Sequence, residues 1–352
     1  MTSKAIKPPK LIDVARHAGV SAGTVSNVLN HPDKVKPETS ARVQESIDIL
    51  GFVRNTNASS LANGGSGNVG LVVIHLGNSV FVDVALGAQS TARSAGLNVL
   101  VAGSEDDFAL QGSNVDSFIG ARVAGVLLSP MQDSSSQINR LAERHVPVVL
   151  INYDPGTQEA CSVIVDNEQA GYLAARHLID SGRTKLAFVS GDDLVQPVKL
   201  RRVGVRRAVS ETRGRVTLEE IATPNLNSAA GADAASEVAQ RGAAARPDGV
   251  IAVTDNLAVG FIERASDLGI RIPDDMAVMG CDHNTSSPDC RMTLTSVKMR
   301  GREMGSAAMS LLMDEIAHPR DEHRHRQVVL TPELLVHQST TPSDRISTTA
   351  GP

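Results

Sequence analysis

The sequence predicts two kinds of structure in one chain: an N-terminal all-α helix-turn-helix unit, then a larger α/β body of two doubly wound subdomains. Three observations predict it. Apolar residues recur at helical spacing from Leu11 to Leu50, interrupted at Gly19. A polar stretch, Arg54–Asn68, follows and ends in Asn63-Gly64-Gly65-Ser66-Gly67, a linker by composition. From Val69 onward, strand-like runs alternate with amphipathic helices. At 352 residues the chain is too long for one ordinary core, and 41% hydrophobic content can fill more than one.

In the N-terminal unit, Leu11, Val14, Ala15 and Ala18 face one side of a first helix. Gly19 ends it because glycine accepts positive φ. Ser21 is a good N-cap for a second helix, Ala22–Leu29, with Val25, Val28 and Leu29 in the core. Asn30-His31-Pro32-Asp33 reads as a loop. Pro37 opens a third helix through Val43 and Ile47 to Leu50, and Gly51 stops it. A helix, a glycine turn and a second helix can place that second helix in a DNA major groove. Ser21 and Thr24 then lie at its N-terminus, where hydroxyls and free N–H groups suit phosphates. Ser26 and Asn27 project from the face opposite the core and can reach base edges. Lys34, Lys36 and Thr39 suit backbone contacts. His17 and His31 read as surface or backbone-contacting residues.

In the body, strands are expected at Val69–Leu76, Asn98–Ala102, Gly125–Leu128, Pro147–Asn152, Leu186–Ser190, Gly249–Val253 and Ala277–Gly280. Helices are expected at Val80–Ala95, Ser134–Arg144, Glu168–Ser181, Val198–Arg213, Ser228–Arg241, Leu257–Leu268 and Arg300–His318. Such alternation implies parallel sheets covered on both faces, with ligands at the carboxyl ends of the strands, between the lobes.

Charge and composition narrow the function. Residues 1–62 hold eight Lys/Arg and five Asp/Glu, net +3, so a chain of net −5 leaves −8 on the rest. A basic unit on an acidic body concentrates phosphate attraction at one end. With no Trp, two Tyr and six Phe, platforms for stacking single-stranded nucleic acid are few. No apolar run spans a membrane and none of signal-peptide length follows Lys4, Lys7 and Lys10, so a cytoplasmic protein without membrane partners is expected. Cys161, Cys281 and Cys290 form no disulfide framework. His318, His323 and His325, near Pro319, read as a solvated loop, and neither a metal nor another cofactor is expected. Catalysis is disfavoured: there is no P-loop, no Gly-x-Gly-x-x-Gly after the first strand and no Gly-x-Ser-x-Gly elbow. Gly64–Gly67 precedes a strand rather than following one, so it does not cradle phosphate. A solute-binding protein without regulatory function is the rival from another class, and the basic unit counts against it.

The run Leu11-Ile-Asp-Val-Ala-Arg-His-Ala-Gly-Val-Ser-Ala-Gly-Thr-Val-Ser-Asn-Val-Leu-Asn30 resembles the N-terminal signature of the lactose/galactose repressor (LacI/GalR) family. The resemblance continues through Leu50-Gly-Phe-Val-Arg-Asn55 and Ala58-Ser-Ser-Leu-Ala62. In the body, Val163–Gly171, His177–Gly182, Thr254–Gly260, Val278–Asp282 and Leu330–Leu334 resemble the family's landmarks. It implies a periplasmic-binding-protein-like effector domain behind the helix-turn-helix unit. The organisation expected is a flexible arm at 1–9, the DNA-binding unit at 10–54, a hinge helix and linker at 55–67, the effector and dimerisation domain at 68–340, and a disordered tail at 341–352.

The resemblance implies a repressor acting as a homodimer on a palindromic double-stranded operator and modulated by a small-molecule effector of carbohydrate type; an activator or dual regulator is the alternative. DNA contacts are expected from Ser21, Ala22, Gly23, Thr24, Ser26, Asn27, Asn30, Lys34, Thr39 and Asn55. Where the family usually has an Arg that pairs with guanine, this chain has Asn27, which matches adenine instead. Ala22 and Gly23 occupy base-preference positions without polar side-chain atoms, so the operator is expected to depart from the usual consensus. Leu61 matches a residue that wedges into the minor groove, and Ala58 a small residue that lets two hinge helices approach. Effector contacts are expected from Asn78, Ser79, Phe81, Asn152, Asp166, Arg201, Asp255 and Asp282. Carboxylates and Arg suit paired hydroxyls. Asn78-Ser-Val-Phe81 stands for a common Asn-Pro-Phe-Phe, Asn152 for a common Asp, and Thr254 for a common Asn.

Overall fold

A computed structural model of the chain describes residues 9–52, 67–156, 159–191, 193–283, 290–318 and 323–341. The expected contacts Asn55, Ala58 and Leu61, with the hinge and the tail from residue 342, lie outside the described residues. The chain divides into two units, one up to Ser66 and one from Gly67.

The first unit packs α1 (Leu11–Ala18), α2 (Ala22–Asn30) and α3 (Pro37–Leu50) around Val14, Ala15, Ala18, Val25, Val28 and Val43. Gly19 ends α1 at φ +65°, the left-handed region glycine enters at least cost. Ser21 Oγ accepts the Thr24 N–H and caps α2. Asn30 belongs to α2 rather than to the loop expected from sequence. Its side-chain amide donates to Ser26 O at 3.0 Å and holds the last turn in helix. His17, read as a surface or backbone-contacting residue, is exposed, and its Nδ1 also makes a 3.0 Å bond with Ser46 Oγ on α3 that ties two helices.

The second unit begins β1 (Asn68–Val73), α4 (Ser79–Ser94), β2 (Asn98–Gly103), α5 (Phe108–Gly120), β3 (Val126–Leu128), α6 (Ser135–Glu143), β4 (Val148–Ile151) and β5 (Cys161–Val165). It continues with α7 (Asn167–Asp180), β6 (Lys185–Ser190), α8 (Gln196–Ser210), β7 (Thr217–Ala222), α9 (Ser228–Ala239), β8 (Gly249–Ala252), α10 (Asp255–Asp267) and β9 (Ala277–Gly280). Last come β10 (Thr295–Lys298), α11 (Gly301–Ala317), β11 (Gln327–Leu330) and β12 (Glu333–Leu335).

Two six-stranded sheets result, in the orders β11-β5-β4-β3-β1-β2 and β12-β10-β9-β8-β6-β7. Every pairing is parallel except that of β12 with β10. The chain crosses between the lobes after β5, after β10 and after β11. Central strands are buried on both faces, as in β3, β4, β8 and β9. That is why they read as continuous apolar runs.

The seven expected strands and the seven expected body helices are present with end shifts of a few residues. The alternation did not reveal α5, β5, β7, β10, β11 or β12. Edge strands β7 and β11 are half-exposed, and Leu218-Glu219-Glu220-Ile221 lacks a period-two pattern. In α5 the buried side includes Gln111, whose amide is satisfied by Ser134 Oγ and the Met131 N–H, so polarity there conceals burial.

Candidate functional site: a DNA-reading helix and an inter-lobe cleft

On α2 the outward face carries Ser21, Gly23, Asn27 and Asn30, all exposed. Ser21 Oγ and Thr24 Oγ1 lie 2.9 Å apart, so the two hydroxyls at the helix N-terminus are prearranged. Ser26 is half-buried and its Oγ accepts from Asn30 Nδ2 at 3.2 Å. Ala22 packs against the three-helix core, so its methyl group is partly withdrawn from the outer face. Among the described residues Asn27 makes no side-chain hydrogen bond, leaving a donor and an acceptor directed outward. Lys34 is exposed in a single 3₁₀ turn, Lys36 is exposed just before α3, and Thr39 is half-buried in its first turn.

The second site is a cleft between the two sheets, about 840 Å³ including its mouth. Most of its polar wall follows the carboxyl end of a strand. His75 and Asn78 follow β1, Asp106 follows β2, Ser129 follows β3 and Asn152 follows β4. From the second lobe, Arg201 comes from α8, Asn225 and Asn227 follow β7, Thr254 and Asn256 follow β8, and Asp282 follows β9. Parallel sheets converge their loops at that end.

A polar chain crosses the cleft floor. Asn167 Nδ2 donates to Asn152 Oδ1 at 2.8 Å, and Arg201 Nε donates to Asn167 Oδ1 at 3.1 Å. Arg201 Nη1 donates to Val253 O, Cys281 O and Asp282 Oδ1 at 2.6, 2.9 and 3.3 Å. Asn78 of the first lobe donates to Asp282 Oδ2 at 3.0 Å. Arg201 and Asp282 are 4% and 5% exposed, and the neighbouring amides and carbonyls compensate the cost of burying the charges. Among the described residues the hydrogen bonds of the Arg201 guanidinium come from Nε and Nη1, and the residue lines the cleft. Asn152 sits at φ +53°, a conformation Asn tolerates better than most residues, and this turns its amide toward the network. Burial raises the Asp282 carboxyl above its ordinary range; Arg201 opposes this and Asp255 adds to it.

Of the eight residues expected at the effector site, Asn78, Phe81, Asn152, Arg201 and Asp282 line the cleft. The other three do not. Ser79 is buried in the first turn of α4 behind Asn78. Asp166 is exposed and accepts the Gln169 N–H as the cap of α7. Asp255 lies beneath the wall at 2% exposure, accepting from Ser296 Oγ at 2.6 Å. Sequence reasoning missed His75, Asp106, Ser129, Asn225, Asn227 and Asn256. Asn225 and Asn227 could have been found only by recognising β7. The others follow strands that were recognised, so their place after a carboxyl end was the available signal.

A three-helix reading unit ahead of a two-lobed α/β body is the build of a DNA-binding transcription regulator. Residues 10–55 match the bacterial regulatory proteins of the lacI family, and residues 175–340 match the periplasmic binding protein-like domain. The chain is 31% identical over 304 residues to catabolite control protein A of Priestia megaterium, covering 86% of this chain and 91% of that one. It is 29% identical over 329 residues to the transcriptional repressor PurR of Vibrio vulnificus (strain CMCP6), covering 93% and 97%. The solved complex of the transcriptional regulator CelR with cellobiose superposes at a TM-score of 0.69 with 27% identity, covering 94% of this chain and 99% of that one. The chain belongs to the LacI/GalR family of DNA-binding transcription regulators. Among the described residues no helix is long and apolar enough to cross a membrane.

Proposed function

We propose that this regulator is a repressor that binds a palindromic operator as a homodimer and responds to a small polyhydroxylated molecule held between its lobes. The observation that carries the effector half is the cleft floor. Asn78 and Asp282 bridge the lobes directly, so a ligand competing for these groups alters the contact between the lobes. The wall holds many neutral amides and hydroxyls beside one Arg and two acids. That set suits a neutral molecule with paired hydroxyls better than a phosphorylated one. Phe81 offers one aromatic face for a ring. The complex of CelR with cellobiose supports a carbohydrate.

Dimerisation is supported by an apolar surface on neighbouring elements. Val82 and Leu86 on α4 are 39% and 40% exposed, and Val101 on the edge strand β2, on the sheet face that α4 covers, is 43% exposed. A two-fold pair of reading helices matches a palindrome and adds the affinity one small unit lacks. The name of the Vibrio vulnificus relative supports repression over activation.

Selection of bound duplexes from random DNA, repeated with mono- and disaccharides, tests both halves. The expected result is a palindrome whose half-site departs from the family consensus, and one sugar that changes the affinity. A non-palindromic site overturns the dimer reading. An affinity indifferent to every sugar that binds the cleft overturns the effector reading.

A further inference from the structure

Cys161 is brought against His323 and His325 on the first lobe, although it lies 162 and 164 residues from them along the chain. Cys161 opens β5, Glu315 lies in the last turns of α11, and His323 and His325 lead into β11, which pairs with β5. Of the three histidines read from sequence as a solvated loop, His318 is 53% exposed, but His323 is folded inward with its side chain 3% exposed, beside Glu315 at 6%. Cys161 Sγ lies 3.2 Å from His323 Nε2 and 3.8 Å from His325 Nδ1, and His323 Nε2 lies 3.9 Å from Glu315 Oε2. One ligand-type atom from each of the four residues falls within 4.8 Å of the other three.

We propose that these four residues form a tetrahedral site for a divalent transition metal of the zinc class. Metal–sulfur bonds of about 2.3 Å and metal–nitrogen or –oxygen bonds of about 2.0–2.1 Å separate ligand atoms at a tetrahedral centre by about 3.3–3.6 Å. Three of the six separations are 3.2, 3.8 and 3.9 Å and all six lie within 4.8 Å, so a bound ion draws the four atoms together only slightly. The donor set of one sulfur, two imidazoles and one carboxylate favours zinc, cobalt or nickel over calcium or magnesium. Charge agrees as well. A dication balances a thiolate and a buried carboxylate, so the occupied site is neutral overall. Outer groups are placed to orient the ligands. The Asp314 carboxylate stands 3.6 Å from His323 Nδ1, behind the nitrogen that faces Cys161. The Arg326 N–H donates to Cys161 Sγ at 3.4 Å and holds the sulfur in place. A surface cavity bordered by His325, Ser162 and Gln327 supplies the entry path. A metal bound here pins the edge strand β11 and the end of α11 to β5.

The test uses the full chain without a polyhistidine tag, stripped with EDTA and titrated with Zn²⁺ and Co²⁺. One Zn²⁺ per chain, a rise in Tm on zinc addition, and a thiolate-to-cobalt charge-transfer band with intense visible bands are expected. Cys161→Ser abolishes the charge-transfer band. His325→Asn, at a half-exposed ring, keeps the fold by circular dichroism and weakens zinc binding by about tenfold or more. No stoichiometric metal bound by the unaltered chain overturns the proposal. So does a charge-transfer band that survives in Cys161→Ser.

Discussion

Two residues illustrate how local chemistry sets what each site can do. Asn27 stands outward on α2 without a side-chain partner among the described residues, and its amide can pair with adenine N6 and N7. Asn27→Ala is expected to weaken operator binding by about 1–3 kcal/mol and to relax the preference at one base step, seen by comparing selected duplexes for the two proteins. A uniform loss across all sequences would instead mark a phosphate contact. Asp282 lies in the cleft floor with its carboxyl raised by burial. A carboxyl whose folded value exceeds its unfolded one takes up a proton on folding in the interval between them. Its stabilising contribution is full below the unfolded value and is lost as pH rises through the folded one. Asp282→Asn should therefore flatten the fall in Tm between about pH 4 and neutrality. An unchanged slope would place the titration elsewhere. The neighbouring Cys281 thiol is pushed up to about 12 by complete burial, so it remains protonated and inert.

At the scale of elements, three helix pairs are held together by glycines on both partners. A Cβ on Gly171 of α7 would stand 1.9 Å from Arg201 O, and one on Gly204 of α8 would stand 1.9 Å from Glu168 O. Gly87 of α4 and Gly305 of α11 meet Arg302 O and Val84 O in the same way, and Gly231 of α9 and Gly260 of α10 meet Leu257 O and Ser228 O. The α7–α8 crossing matters most for function, because it fixes the backbone from which Arg201 reaches the cleft. Gly204→Ala is expected to destabilise by roughly 1–3 kcal/mol or more, since backbone rather than a flexible side chain must move. Gly112→Ala in α5 is the control. Its Cβ would meet only the side-chain ends of Arg140 and Gln137 at 3.5 and 3.7 Å, so it should be neutral or stabilising by about 0.4–1 kcal/mol. Thermal unfolding of both variants checks the contrast. Helices with a clear apolar stripe and the apolar central strands β3, β4, β8 and β9 were legible in the sequence, whereas the short buried strands β5 and β10 were not. Elements with weaker local signals, including edge strands β7 and β11 and helix α5, were not, because their stability comes from neighbours.

At the scale of the molecule, function depends on pairing and on charge. Leu86→Asp places a carboxylate in the apolar surface of α4 and β2. It is expected to yield monomers in sedimentation and to weaken operator binding, while leaving the fold intact because Leu86 is already 40% exposed. A dimer that persists would move the interface elsewhere. Leu61→Ala should weaken operator binding with dimerisation unchanged, as read by electrophoretic shift and sedimentation together.

The sequence by itself determined the family, the helix-turn-helix unit and the two-lobed plan, because caps, glycine stops and apolar periodicity act over a few residues. It also marked Asn78, Phe81, Asn152, Arg201 and Asp282, five residues of the cleft wall. Only the tertiary structure decided which acids face the cleft. Asp166 and Asp255 resemble Asp282 in sequence pattern, yet one is an exposed helix cap and the other is buried beneath the wall. The cluster of Cys161, Glu315, His323 and His325 came from the same source. Its members are separated by up to 164 residues along the chain. Glu315, His323 and His325 are sequence neighbours, but nothing local brings Cys161 to them; that meeting is set by the register of β11 beside β5 and the placement of α11 against that sheet.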